Sequence, residues 1–275
     1  GVSNPPADAL TVTWIGHSTF LIQCNGLNIL TDPIWSARAS PVSFAGPRRV
    51  AAPGLSFGGL PEIHATLLSH DHYDHLDDST VRALIRRFPR MQWLVPLGIR
   101  PFVEKRGAQS VVELDWWEER NVIAFAALCT PARHFSGRFP WNRDATLWCG
   151  WAVRIGDFRI FFAGDTGLHG EFTSIAHRFG PFDAVILPIG AYAPRWFMQP
   201  VHMDPTESVA AFRDLVSLSP DHRCVMIASH WGTFRLTDEP LSEPPRIARQ
   251  AWSTTGLAPD LLAILTHGET RVIAR

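Results

Sequence analysis

Short apolar runs that end at polar residues recur along this chain, and most have the length of a buried strand. The first third contains three such runs, at residues 11–15, 19–24 and 27–31. Asn25 and Gly26 separate the last two, and an Asn-Gly pair between apolar runs is a strong signal for a β-hairpin. We therefore predict that the chain opens with neighbouring strands.

A stretch without periodicity follows and leads to another buried strand. Residues 33–61 are rich in Pro, Gly, Ser and Arg, which predicts a long ordered loop with a functional role. Residues 65–69 then read as a buried strand, and residues 79–88 have helical spacing with Ser79 as the predicted N-cap.

The second half of the chain repeats this pattern of strands followed by helices. Strands are predicted at residues 122–130, 147–155, 158–163, 183–187, 224–229, 261–265 and 270–274, and helices at 205–218 and 244–255. Because strands precede helices in both halves, we expect two similar β–α halves that pack sheet to sheet with the helices outside. Without a linker or low-complexity tract, the pattern favours one α/β domain over residues 1–275.

Composition narrows the classes of function. The 275 residues are 46% hydrophobic with a formal net charge of −1, so no strong field favours nucleic acid as a partner. Apolar stretches of about 18 residues are absent from the sequence, so no transmembrane segment is expected. The four cysteines form no CxxC pair and lie in or beside apolar runs. Reduced, buried thiols of this kind favour a cytoplasmic location, with envelope association left open.

The most informative segment directly follows the run at residues 65–69. It reads His70-Asp71-His72-Tyr73-Asp74-His75. Imidazole and carboxylate are the usual ligands of a catalytic zinc-type ion. Their spacing cannot line one face of a helix and suits a loop at a strand end, where side chains can converge on two metal ions. Three later strand ends supply further candidates, namely His134, Asp165 and His230.

These motifs and their order resemble the metallo-β-lactamase fold superfamily, whose HxHxDH motif matches residues 70–75. Within it the chain is most similar to the N-acyl-phosphatidylethanolamine phospholipase D-like group. Segments that carry this likeness are residues 14–17, 31–33, 194–198, 202–205, 230–234 and 267–269. The resemblance implies a four-layer αβ/βα sandwich, in which two packed mixed β-sheets carry outer helices.

The resemblance also implies a dinuclear site. One metal ion would be held by His70, His72 and His134, the other by Asp74, His75 and His230, with Asp165 bridging the two. Zinc suits these donors, and manganese and iron also accept imidazole and carboxylate. A hydroxide that bridges the metals would attack phosphorus in a phosphodiester.

Two residues are expected to take part in catalysis. Asp74 would do so as part of the metal site. His202 would hydrogen bond to the developing oxyanion or give a proton to the leaving oxygen. Asp32 and His17 are candidates for holding ligand side chains from behind. Candidates for lining the substrate entrance are Arg195, Trp196 and Phe197.

Two other functions use the same residues. A lactone or amide hydrolase would direct the same nucleophile at a carbonyl carbon, and a non-catalytic module would bind metal and a partner without turnover. The expected partner is a small-molecule or lipid-like substrate. A homodimer is left open.

Overall fold

The computed structural model describes residues 8–122, 124–219 and 221–274. Strands in these residues are β1 (Ala9–Gly16), β2 (Thr19–Cys24), β3 (Leu27–Thr31), β4 (Ala65–Leu67), β5 (Gln92–Pro96), β6 (Val111–Leu114), β7 (Glu119–Val122), β8 (Phe125–Thr130), β9 (Gly150–Ile155), β10 (Phe158–Phe162), β11 (Ala184–Pro188), β12 (Val225–Ser229), β13 (Leu262–Ala263) and β14 (Thr270–Ala274). Helices are α1 (Asp78–Arg87), α2 (Arg100–Glu104), α3 (Glu171–Phe179), α4 (Arg195–Met198), α5 (Pro205–Val216) and α6 (Glu243–Ser253).

The strands form two mixed sheets with matching topology. The first has the order β14-β1-β2-β3-β4-β5-β6 and the second β13-β12-β11-β10-β9-β8-β7. In the first sheet, pairing is antiparallel from β14 to β3 and parallel from β3 to β6. The second sheet changes in the same way, from antiparallel between β7 and β10 to parallel between β10 and β13.

Three apolar clusters define four layers. The central cluster joins side chains of both sheets, such as Trp14 and Ile29 of the first and Trp151 of the second. Val81 and Leu84 of α1 belong to a cluster on the outer face of the first sheet. A third cluster joins the second sheet to α3, α5 and α6. The predicted αβ/βα sandwich is therefore confirmed.

Several predicted boundaries were wrong. The single strand predicted at 122–130 is the hairpin β7–β8, and residue 123 lies outside the described residues. The strand predicted from 147 begins at Gly150, and β13 has only two residues because a 3₁₀-helix, Pro259–Leu261, precedes it. Helix α1 begins one residue before Ser79, and Asp77 is at its N-cap position.

The predicted loop at 33–61 contains only one turn of 3₁₀-helix, Phe57–Gly59, as regular helix. It is tied to the second half of the chain, because the Val50 N–H donates to the Thr233 carbonyl at 2.8 Å. All four cysteine side chains are buried and free. Among the described residues, every helix is too short or too polar to cross a bilayer.

The sheets bring the ends of several strands to the same edge. Strands β8 and β10 run in the same direction because each is antiparallel to β9, and β10, β11 and β12 are parallel. His134, Asp165 and His230 lie in the loops that follow β8, β10 and β12. In the first sheet, β1, β3 and β4 likewise point one way, so His17, Asp32 and the His70–His75 loop share an edge.

Gly164 lets the loop after β10 reach this edge, and we predict that replacing it destabilises the fold. Its φ is +61°, and a Cβ there would lie 2.6 Å from Ser69 Cβ and 2.9 Å from the Cys149 carbonyl oxygen. Because both strain and overlap result, Gly164→Ala is expected to lower the free energy of unfolding by about 2–4 kcal/mol. Urea denaturation measures this change.

Gly58→Ala is the matched control. Gly58 is exposed, and its added Cβ would meet nothing within 4 Å, so the change should stay within about 0.5 kcal/mol. Equal, small losses in both variants would contradict the prediction.

Candidate metal centre

The structure brings together all seven side chains that the sequence predicts as metal ligands. Among the described residues, side-chain nitrogen and oxygen atoms form four overlapping groups, each within 4.8 Å. Two of these are Asp32 with His70 and His75, and His134 with Asp165 and His202. The other two contain most of the predicted ligands and are called the first and second group. The first contains His70, His72 and His134; the second contains Asp74, His75, His230 and also His17. Most of these side chains are buried, so the groups lie below the protein surface.

The first group is formed by three ring nitrogens. His72 Nδ1 lies 2.8 Å from His70 Nε2 and 3.2 Å from His134 Nε2. His70 and His72 are on the loop after β4, whereas His134 comes from the other sheet, after β8. The convergence of neutral imidazoles on one point is the arrangement that a zinc-type cation requires.

Two carboxylates face the imidazoles of the second group: Asp74, which belongs to it, and Asp165, which does not. Asp74 Oδ2 lies 3.3 Å from His75 Nε2 and 3.4 Å from His230 Nε2. Asp165 Oδ2 lies 3.1 and 3.0 Å from the same two nitrogens. It is also 3.9 Å from His70 Nε2 and 3.8 Å from His134 Nε2. Asp165 thus lies between the groups, which is the position of a bridging ligand.

Hydrogen bonds behind the cluster fix the orientation of three imidazoles. His75 Nδ1 donates to Asp32 Oδ2 at 2.7 Å, and Ser69 Oγ donates to the same oxygen at 2.6 Å. His70 Nδ1 in turn donates to Ser69 Oγ at 2.9 Å, and His134 Nδ1 donates to the Val201 carbonyl at 2.9 Å. In the neutral tautomers that this implies, each Nε2 presents its lone pair to the cluster.

These contacts extend the expectation for Asp32. The sequence marked it as a candidate for orienting a ligand imidazole, and it does contact His75. Its link to His70 passes through Ser69, which sequence reasoning missed because a serine before a histidine motif carries no signal of its own. Asp32 Oδ1 also accepts the Ser69 N–H at 2.7 Å, so this wholly buried carboxylate holds both ends of the loop.

Electrostatics show that this site needs positive charge. Burial raises the pKa of Asp74 and Asp165, but the imidazoles around each carboxylate, chiefly His75 at Asp74 and His230 at Asp165, together outweigh burial and hold both pKa values well below the usual range. Burial lowers the pKa of His230, but Asp165 outweighs this and raises it to about 9. In the same way, the pKa of His75 is raised despite burial, mainly by Asp165. The two carboxylates thus favour positive charge at the position of these imidazoles.

Unpaired polar atoms at the cluster fit bound cations. His75 Nε2, His230 Nε2 and Asp165 Oδ1 are buried and lack a hydrogen-bond partner within the described part of the chain. Buried polar atoms are normally satisfied. Cations between the two carboxylates would satisfy these atoms. The donor set therefore fits a pair of divalent metal ions.

Other predicted residues also lie at the cluster. His202 is buried, and its Nε2 is 3.9 Å from Asp165 Oδ2. Its Nδ1 is buried without a hydrogen-bond partner among the described residues. His17 Nε2 lies 2.8 Å from Asp74 Oδ2. Asp71 is outside both groups, and its Oδ1 accepts the Gly137 N–H at 2.7 Å, which ties the loop after His134 to the histidine motif.

Exposed aromatic side chains lie close in sequence to cluster residues. Trp196 and Phe197 of α4 are 82% and 63% exposed and precede His202. Phe139 and Trp141 stack at 5.0 Å in the loop after His134, and Trp141 is 81% exposed. The Arg195 guanidinium is hydrogen bonded within the protein, because it donates to Glu207 at 2.7 Å and to the His202 carbonyl at 2.9 Å.

Comparison with known proteins identifies the family. The model of the beta-lactamase superfamily domain matches residues 27–231. An uncharacterized protein of Mycobacterium tuberculosis is 44% identical over 240 residues, which cover 86% of this chain but only 63% of that protein. N-acyl-phosphatidylethanolamine-hydrolyzing phospholipase D 1 of Caenorhabditis elegans is 38% identical over 246 residues, covering 86% of this chain and 67% of that enzyme.

A solved structure shows the same fold. Isothiocyanate hydrolase from Delia radicum gut bacteria superimposes with a TM-score of 0.72 at 21% identity, over 95% of this chain and 98% of that one. The match at this identity concerns the fold alone. Together with the sequence relatives, it shows that this chain belongs to the metallo-β-lactamase superfamily, in the group that contains N-acyl-phosphatidylethanolamine-hydrolyzing phospholipase D.

Proposed function

We propose that this chain is a dinuclear metal-dependent hydrolase that cleaves a phosphodiester. The observation that carries the proposal is the position of Asp165 Oδ2, within 4 Å of imidazole nitrogens from both groups. When bound, two divalent cations at such a site would lower the pKa of a shared water and neutralise the negative charge that develops on the phosphoryl oxygens. Zinc suits the donors best, and manganese and iron are the alternatives.

Each residue has a distinct task in this proposal. The ligands of one ion are His70, His72 and His134, those of the other are Asp74, His75 and His230, and Asp165 is shared. Asp32 and Ser69 hold the ligand imidazoles in the tautomers that leave Nε2 free to bind. The protein's contribution is thus a rigid, largely dry donor set, which costs no reorganisation during the reaction.

His202 is suited to binding a phosphoryl oxygen. Burial lowers the pKa of His202 to about 4, so its imidazole is neutral at pH 7. A neutral ring donates one hydrogen bond without transferring the proton. Of the two roles expected from the sequence, stabilisation of the developing negative charge is therefore favoured over proton donation to the leaving oxygen.

The exposed aromatic residues support a lipid-like substrate. The relative from Caenorhabditis elegans is named for hydrolysis of an N-acylated phospholipid. In this chain, Trp196 and Phe197 lie a few residues before His202, and Trp141 lies seven after His134. Large aromatic rings that are exposed to water on segments leading to or from a polar site suit a substrate with an apolar tail. We propose that the tail lies against these rings while the phosphodiester reaches the metal ions.

The first prediction tests the reaction. Purified protein loaded with zinc should hydrolyse bis(p-nitrophenyl) phosphate, and His72→Ala should lower the rate more than about 100-fold because one cation loses a ligand. Metal analysis by mass spectrometry should give two ions for the wild type and fewer for the variant.

The control is His64→Ala, because His64 lies outside both groups. Faster turnover of a homoserine lactone or an amide than of any phosphodiester would instead favour the carbonyl hydrolase.

The second prediction tests the support behind the ligands. Asp32→Asn keeps the side-chain volume but weakens acceptance from His75 and Ser69, so zinc affinity should fall about 10–100-fold. Competition with a chromophoric chelator measures it. Asp183→Asn is the control, because Asp183 is also a buried carboxylate and accepts the Arg159 N–H at 2.7 Å, but it precedes β11, whereas the cluster residues of this sheet follow its strands. Equal affinity in both variants would contradict the assignment.

The third prediction tests the lipid-like substrate. Replacing both Trp196 and Phe197 by serine should lower the rate on a phospholipid in mixed micelles at least about tenfold relative to the rate on bis(p-nitrophenyl) phosphate. The reason is that the lipid tail loses its contacts with two aromatic rings. Leu218→Ser removes an exposed apolar side chain elsewhere and should leave this ratio unchanged. An unchanged ratio in the double variant would count against a lipid tail at this surface.

A further inference from the structure

His17 is buried at the metal centre. It is not among the seven predicted metal ligands, and the proposed reaction does not give it a role. It follows β1, in the turn to β2, and only 1% of its surface is exposed. Its Nε2 lies 2.8 Å from Asp74 Oδ2. Its ring centroid lies 4.0 Å from that of His230 and 5.3 Å from that of His75. The side chain therefore contacts three residues of the second group at once.

The backbone of His17 is held from both halves of the molecule. Its N–H donates to Thr233 Oγ1 at 2.7 Å. Its carbonyl accepts from Trp14 Nε1 at 2.9 Å and from the His230 N–H at 3.1 Å. With φ at +56°, His17 has a left-handed conformation that is uncommon for a residue other than glycine. Such conformations persist where several surrounding contacts hold them. Here the hydrogen bonds to the His17 backbone hold the ring in contact with Asp74.

The chemistry of the contact decides how His17 acts. Ionised Asp74 can only accept hydrogen bonds, so the hydrogen between the two atoms belongs to His17 Nε2. A ring nitrogen that carries a hydrogen cannot bind a metal ion. In this arrangement His17 Nε2 faces the carboxylate as a donor, although the atom lies within the second group.

The same contact constrains the carboxylate. Asp74 Oδ2, the oxygen that accepts from His17, also faces His75 Nε2 and His230 Nε2 at 3.3 and 3.4 Å. A carboxylate on a surface-facing loop can rotate about its last torsion, and the Asp74 side chain is 13% exposed. The hydrogen bond from the buried His17 ring holds Oδ2 as the Asp74 oxygen that faces the imidazoles of His75 and His230.

We propose that His17 is a positioning residue, which orients the Asp74 carboxylate toward the second metal ion by donating a hydrogen bond from Nε2. This inference rests on the proposed dinuclear function and adds to it the element that aligns one ligand. Because the His230 N–H bonds to the His17 carbonyl, the same residue also sets the spacing between a ligand of the first sheet and a ligand of the second. The effect of losing the donor should be confined to the ion that Asp74 binds.

The test is a metal titration of the chain of residues 1–275. The protein is stripped with a chelator and titrated with Co²⁺ alone, and the two binding steps are followed by competition and by the visible absorption of the bound ion. His17→Leu removes the donor at similar volume. It should weaken one step about 10–100-fold, change the absorption of that ion, and leave the other step within about threefold.

Two further variants separate positioning from a general structural role. His17→Gln places an amide N–H near the position of Nε2 and should restore most of the lost affinity. His17→Asn is polar but too short to reach Asp74, so it should behave like His17→Leu; it also serves if the leucine variant does not fold. His64→Leu loses a histidine distant from the cluster and should bind both ions like the wild type.

The outcomes distinguish this inference from the proposed function. If the wild type binds two ions and folded His17→Leu and His17→Asn bind them equally well, the positioning role is wrong and the proposed function stands. If one ion is lost outright and His17→Gln does not restore it, His17 is a ligand and the inference is also wrong. A wild-type chain that binds fewer than two ions overturns the proposed function together with the inference.

Discussion

The structure depends on the burial of three carboxylates at one edge of a two-sheet sandwich. Asp32 and Asp165 are almost wholly buried, and Asp74 is nearly so. Buried carboxylates are costly unless positive charge or several hydrogen bonds compensate them. Asp32 is compensated by donors from Ser69 and His75. Asp74 and Asp165 are surrounded by imidazoles, so the centre is stable only when protons or cations occupy the space between them.

This constraint explains why the centre is assembled from both sheets. One sheet supplies the loop after β4 with its paired histidines, and the other supplies His134, Asp165 and His230 from three strand ends. A single loop could not surround two cations with neutral nitrogens without leaving some donors in water. The central apolar cluster holds the sheets together, and the packing that stabilises the fold thereby also sets the distances within the centre.

The metal-ligand candidates could be named from the sequence because their signals are local. The motif from His70 to His75 and the single polar residues at later strand ends can be read without a structure. The hydrogen bonds that hold the ligand side chains could not be read in this way, because they depend on how the ends of neighbouring strands are aligned. Ser69 gave no signal, and His17 could be named as a candidate for holding a ligand side chain but not as a partner of Asp74. Its bond to Asp74 spans 57 positions.

The sequence predicted the layered arrangement of sheets and helices, but it did not mark the more polar strands β6 and β7 at the edges of the sheets. β7 has three exposed residues of four and β6 is only half-buried, so neither has the apolar run that marks a buried strand. Helix α3 did carry a readable pattern, since Phe172, Ile175, Ala176 and Phe179 are its buried residues. This spacing of three and four is typical of an amphipathic helix and would have placed it.

The most direct test of the central claim is a crystal structure of the metal-loaded protein with anomalous diffraction collected on both sides of the metal absorption edge. The account predicts two anomalous peaks roughly 3.5–4 Å apart, on either side of the Asp165 carboxylate, with His202 facing the space above them. A single peak, or none at this edge of the sheets in protein that hydrolyses phosphodiesters, would contradict it.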